Sequence, residues 1–133
     1  MNRENNIQKA KIFYRINLDQ AVKTFSESRT QICGKSRKRS LFYIRLIIIG
    51  NLFKYFRQVE ISEATAISRQ MINYYITERK SCTKYSKEFR DMENEFIKSI
   101  KQWRILKSKQ RRMVTVSNYK RLKSLIENQS STQ

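Results

Sequence analysis

Not one proline and only two glycines, Gly34 and Gly50, interrupt this chain of 133 residues. Strands need frequent turn punctuation, and those two residue types supply most of it. The scarcity therefore predicts an all-α fold. The length suits one small domain with appended basic segments, and 39% hydrophobic residues are enough for a core.

Hydrophobic spacing divides the chain. Residues 1–15 form a basic N-terminal arm, read either as a frayed terminus or as a short docked helix carrying Ile7, Ile12 and Phe13. A helix capped by Asn17 or Asp19 then carries Ala21, Val22 and Phe25 on one face. Ser26-Glu27-Ser28 reads as a turn with a fresh cap. A short helix through Thr30 and Ile32 follows, closed by a left-handed cap at Gly34. The long helix from Ser40 to Arg57 is apolar on most of its circumference, with Leu41, Ile44, Ile48 and Leu52 on one stripe and Phe42, Ile49, Phe53 and Phe56 beside it. Such a helix belongs at the centre of a domain. Its apolar run, Leu41 to Phe53, is broken by Arg45 and is shorter than the roughly 20 residues that span a bilayer.

Two further segments, 61–66 and 68–79, have the spacing of a helix-turn-helix, with Ser68 as N-cap of the second. Ile67, Ile72 and Ile76 would pin that helix to the core and leave Ser68, Arg69, Gln70 and Asn73 near its exposed start. A helix from Lys84 to Lys107 carries Phe89, Met92, Phe96, Ile100 and Trp103, with Glu88, Asp91, Glu93 and Glu95 on a polar side. The helix-turn-helix domain is expected over 16–98, a basic helical extension over 99–127 and a disordered tail over 128–133.

Charge narrows the function. Lys and Arg number 29 against 11 Asp and Glu, a formal net charge of +18. That excess favours a polyanionic partner, nucleic acid ahead of an anionic membrane surface. No acid occurs between Glu27 and Glu60, whereas Arg29, Lys35, Arg37, Lys38, Arg39, Arg45, Lys54 and Arg57 all do. Charges without local partners mark a face that waits for phosphates. Arg37, Lys38 and Arg39 open the long helix, where one guanidinium can enter a minor groove while others grip phosphates. Arg69 and Gln70 are types that bond base edges, Arg to guanine and Gln to adenine. The stretch 101–123 is basic without an acid, and Lys107, Arg111 and Arg112 are its candidate phosphate contacts. Tyr74, Tyr75 and Trp103 read as packing residues rather than stacking platforms.

Catalysis and cofactors find no support. The chain has no His, only two Cys (Cys33 and Cys82), no P-loop and no Gly-rich dinucleotide loop, so neither metal nor cofactor is expected. Charges spread around 101–126 rather than along one face argue against a membrane-surface helix, and basic residues without interleaved aromatics argue against an RNA platform.

The segments Ala21-Val22-Lys23-Thr24-Phe25-Ser26-Glu27-Ser28 and Ile32-Cys33-Gly34-Lys35-Ser36-Arg37-Lys38-Arg39-Ser40-Leu41-Phe42-Tyr43-Ile44-Arg45 resemble the opening of the C-terminal DNA-binding domain of the bacterial replication initiator DnaA. That domain belongs to the Trp-repressor-like group of helix-turn-helix folds. The resemblance covers about residues 16–98. It implies that Arg37 enters the minor groove, that Arg45 contacts the DNA backbone, and that Ser68, Arg69, Gln70 and Met71 read bases. The family's Gly-Arg-Asp-His-(Ser/Thr)-Thr segment is replaced here by Ala66-Ile67-Ser68-Arg69-Gln70-Met71, which implies a kept binding mode with a different preferred sequence. Residues 61–76 are also similar to the helix-turn-helix of phage-repressor-type regulators. With no nucleotide-binding module before the domain, the chain is not expected to act alone as an ATP-driven initiator.

The expected function is non-enzymatic binding of double-stranded DNA in replication or transcription, in the cytoplasm on the nucleoid. A protein partner, or self-association through the C-terminal extension, remains open, and no membrane or small-molecule partner is expected. The alternative is a structural or packaging protein, of a virion or nucleoid, that uses the same scaffold to bind a protein or nucleic acid without sequence specificity.

Overall fold

The computed structural model describes residues 2–105, and all their regular structure is helical. The order is α1 (Asn2–Phe25), α2 (Arg29–Cys33), α3 (Arg39–Phe53), α4 (Gln58–Thr65), α5 (Arg69–Tyr85) and α6 (87–105). The chain divides into two compact units, Met1–Ser99 and Ile100–Gln133. Of the second, residues 100–105 are described and are helical. Lys107, Arg111, Arg112 and the expected 128–133 tail lie outside the described residues.

Helix α3 is the centre of the first unit. Nine of its fifteen residues are buried, from Leu41 to Leu52, so it needs cover over most of its circumference. It gets that cover from α1, α2, α4 and α5. Tyr43 packs its ring 5.5 Å from Phe89 of α6 and meets Ser86 Oγ at 3.1 Å through its hydroxyl. Each buried Ile or Leu contributes about 1.5–3 kcal/mol relative to leaving it in water. Gly50 sits mid-helix because the Arg79 side chain crosses there on its way to Glu93, 3.0 Å away, and a Cβ would strike that side chain.

Helix α1 is continuous, where the sequence predicts a separate arm and a new start at Asn17 or Asp19. The buried stripe is Ala10, Asn17, Leu18 and Ala21, with Tyr14 half-buried between them. Ile12 is exposed. Asn17 is no cap. It is fully buried, donates to Phe13 O at 2.7 Å and accepts from Asn51 Nδ2 of α3 at 2.7 Å. A polar residue on a core face breaks the apolar pattern and imitates a helix start. The far end of α1 meets α6, where Thr24 and Gln20 both donate to Ser99 Oγ and Phe25 stacks on Phe96.

The other boundaries shift for local reasons. Helix α3 stops at Phe53, and a turn over 54–56 precedes α4. Helix α4 starts at Gln58, three residues before the predicted start, because the Glu60 carboxylate accepts the Arg57 backbone N–H at 2.9 Å. Ser86 separates α5 from α6 by accepting the N–H of Phe89 at 3.1 Å. Arg90 reaches back to the carbonyls of Thr83 and Lys84, closing the end of α5.

Helices α4 and α5 are joined by three residues, 66–68. Ala66 takes the left-handed conformation (φ 61°, ψ 21°), and its N–H bonds Ser62 O at 2.9 Å. Ser62 Oγ donates to Ile67 O at 2.6 Å, and Ser68 Oγ accepts the N–H of Met71 at 3.2 Å. Ile72 and Ile76 are buried below, as their spacing predicts.

Two stability changes are expected from urea unfolding. Ala66→Gly relieves the left-handed strain on an L-residue and should raise stability by about 1 kcal/mol. Asn17→Ala leaves Asn51 without its buried acceptor and should lower it by about 1–3 kcal/mol. An unchanged midpoint in either variant would contradict the corresponding assignment.

Candidate nucleic-acid interface

The basic loop is shaped by backbone bonds before any of its cations act. Ser28 caps α2 by accepting the N–H of Gln31 at 3.1 Å. Gly34 follows as C-cap with φ −81°, not in the left-handed conformation expected from its type. Its need for glycine is steric, since a Cβ would lie 2.8 Å from Thr30 O.

Arg45, from the second turn of α3, reaches into this bend. Its Nε donates to Ile32 O at 2.7 Å, one terminal nitrogen to Ser36 O at 2.7 Å, and the other to Gly34 O at 2.9 Å and Gln31 O at 3.2 Å. Four of the five guanidinium N–H groups are thus engaged. The sequence reading gives Arg45 to the DNA backbone; the structure shows it closing the C-terminus of α2 and holding the loop. The positive charge also sits where the α2 carbonyls concentrate negative potential.

The loop cations are exposed and only partly free. Lys38 Nζ lies 3.5 Å from Glu27, and Arg39 lies 4.0 Å from Glu88 of α6. Sequence distance from any acid suggested a field of unpaired charge, and folding supplies these two acids from other elements. Exposed pairs of this kind contribute at most about 1 kcal/mol, so a phosphate can displace them. Among the described residues, Lys35 and Arg37 form no ion pair.

The second candidate group stands at the start of α5. Ser68, Arg69, Gln70, Met71 and Asn73 are all exposed. The two groups are neighbours: Lys35, Ser36 and Arg37 share with Met71, Tyr74 and Tyr75 an open groove of about 590 Å³, floored by Phe42 and Arg45. Phe42, Tyr74 and Tyr75 form a ring cluster with centroids 6.0–6.2 Å apart. The sequence pattern puts Phe42 beside the apolar stripe of α3 and the tyrosines in packing, and Phe42 and Tyr75 are half-buried. The signal that marks them is position, an aromatic one turn into α3 beside the basic loop and a tyrosine pair on the helix that faces it.

Behind the loop, Tyr14, Cys33, Arg45, Ile48 and Ile67 line a cavity of about 330 Å³. Burial, helped by the neighbouring Cys33, pushes the Tyr14 phenol well above its ordinary range. Burial likewise raises the Cys82 thiol. Neither group is made a better nucleophile by its surroundings. Among the described residues no cluster of His, Cys, Asp and Glu could hold a metal, and no helix is long and apolar enough to cross a membrane.

Comparison of the chain with protein-family models, with curated proteins and with solved structures gave no match.

Replacing Arg45 tests the loop. Lysine keeps the charge but offers a point donor in place of a planar fork, so Arg45→Lys should lose about 2 kcal/mol of stability in urea unfolding. An unchanged midpoint would mean that the four carbonyl bonds hold nothing together.

Proposed function

We propose that the chain is a non-enzymatic duplex DNA-binding protein in which α4 and α5 act as a helix-turn-helix of the DnaA-C-terminal or Trp-repressor kind. The start of α5 lies in the major groove, with Ser68, Arg69, Gln70, Met71 and Asn73 at base edges. The loop Arg37-Lys38-Arg39 lies at the adjacent minor groove and its phosphates. Arg45 acts through the loop that it shapes. Replication or transcription on the nucleoid is the setting this reading favours.

One observation carries the reading: Lys35, Ser36 and Arg37 of the loop border the same groove as Met71, Tyr74 and Tyr75 of α5, although more than thirty residues separate them in the chain. A duplex presents base edges and a phosphate wall side by side, and a reader must offer both kinds of contact from one face. The net charge of +18 supports it as the electrostatic footprint of a polyanion binder.

A packaging or architectural role is the second reading. It is favoured by a separate aromatic patch, where Phe53 and Tyr55 are 43% and 60% exposed and Tyr55 meets Phe13 edge-on at 5.4 Å. Exposed aromatics suit a protein partner.

Selection of bound duplexes from a random pool, followed by titration at several salt concentrations, separates these readings. A sequence motif is expected, with affinity falling steeply as salt rises. Arg69→Ala should cost about 1–3 kcal/mol on the selected site and relax the preference, whereas Lys38→Ala should weaken all duplexes alike and lower the salt slope by about one. Salt-independent binding would defeat the proposal, and binding without any motif would favour the packaging role.

A further inference from the structure

The groove between the basic loop and α5 has a lining that phosphate contact alone does not explain. Its rim is cationic, with Lys35 and Arg37 free of ion pairs among the described residues. The rest of its lining includes the apolar and aromatic side chains of Phe42, Met71, Tyr74 and Tyr75. Met71 and Tyr74 are 41% and 47% exposed, and Phe42 and Tyr75 lie beside Tyr74. A phosphate can use the Tyr74 hydroxyl as a donor but makes no use of the ring face or of the Met71 thioether. A nucleobase has an apolar π face and remains tied to a phosphate, so it matches both parts of the lining. The volume of about 590 Å³ falls within the range of small-ligand sites, about 300–1,000 Å³.

We infer that this groove receives a single unpaired nucleotide of a DNA strand, its base against Tyr74 and Met71 and its phosphate on Lys35 and Arg37. The inference rests on the reading that this face meets DNA, and adds a preference for duplexes that carry a base out of the stack. A paired base would first have to be unstacked, a cost smallest where the base has no partner. The groove arrives preformed, because Arg45 fixes the carbonyls of Gly34 and Ser36 on its loop side.

The experiment compares two duplexes of one sequence, fully paired and with one extra unpaired thymidine, each titrated against the full chain. The wild type should bind the bulged duplex about tenfold more tightly. Tyr74→Ala should bring the ratio of the two affinities close to one, and Tyr74→Phe, which keeps the ring, should preserve it. A 2-aminopurine in place of the thymidine should lose fluorescence on binding as it stacks. A wild-type ratio of one, or a ratio unchanged in Tyr74→Ala, overturns the inference while leaving duplex binding intact. Binding to neither duplex overturns both readings.

Discussion

Helix α3 sets the terms for everything packed around it. With nine residues buried in fifteen, it must be covered over most of its circumference, so the other elements pack around it. That requirement explains why α1 runs unbroken past its polar Asn17 and why α4 and α5 meet over the same helix. It also places the candidate interface. The loop that begins α3 and the turn that begins α5 are surface segments at the borders of a covered core, free to carry charge because the interior is closed without them.

Charge in this fold works in two distinct settings. Arg79 and Glu93 are both largely shielded, 3.0 Å apart, and tie α5 to α6 across the gap left by Gly50. Lys38 with Glu27 and Arg39 with Glu88 are loose contacts in solvent. The first kind fixes helices in place. The second offsets part of the repulsion among neighbouring cations and holds little in place. A chain with so large a positive excess needs both, since self-repulsion opposes a compact state.

Much of this architecture is legible in the residues. The missing prolines and scarce glycines give the helical class, the Leu41–Leu52 run gives the central helix, and Ser68 gives the start of α5. What stays hidden has a common cause, namely polar side chains that work by reaching something distant in sequence. Asn17 imitates a cap because its partner Asn51 is thirty-four residues away. The loop-shaping role of Arg45 is hidden because its acceptors are backbone carbonyls, which no residue type advertises. Lys38 and Arg39 look unpaired because their acids belong to other elements. The candidate site shows the same limit, since its cations are evident one by one and its groove exists only once α5 lies against the loop.

The bonds of Arg45 end on carbonyl oxygens, and every residue type carries one of those. The shape of the bend therefore depends on few of the side chains displayed on it, chiefly Gly34, where a Cβ would clash, and Ser36, whose hydroxyl accepts the Lys38 N–H. Positions 35, 37 and 38 can vary while the scaffold beneath stays put. On the DNA-binding reading proposed above, such a face can be respecified by substitution at those positions without rebuilding the fold beneath it.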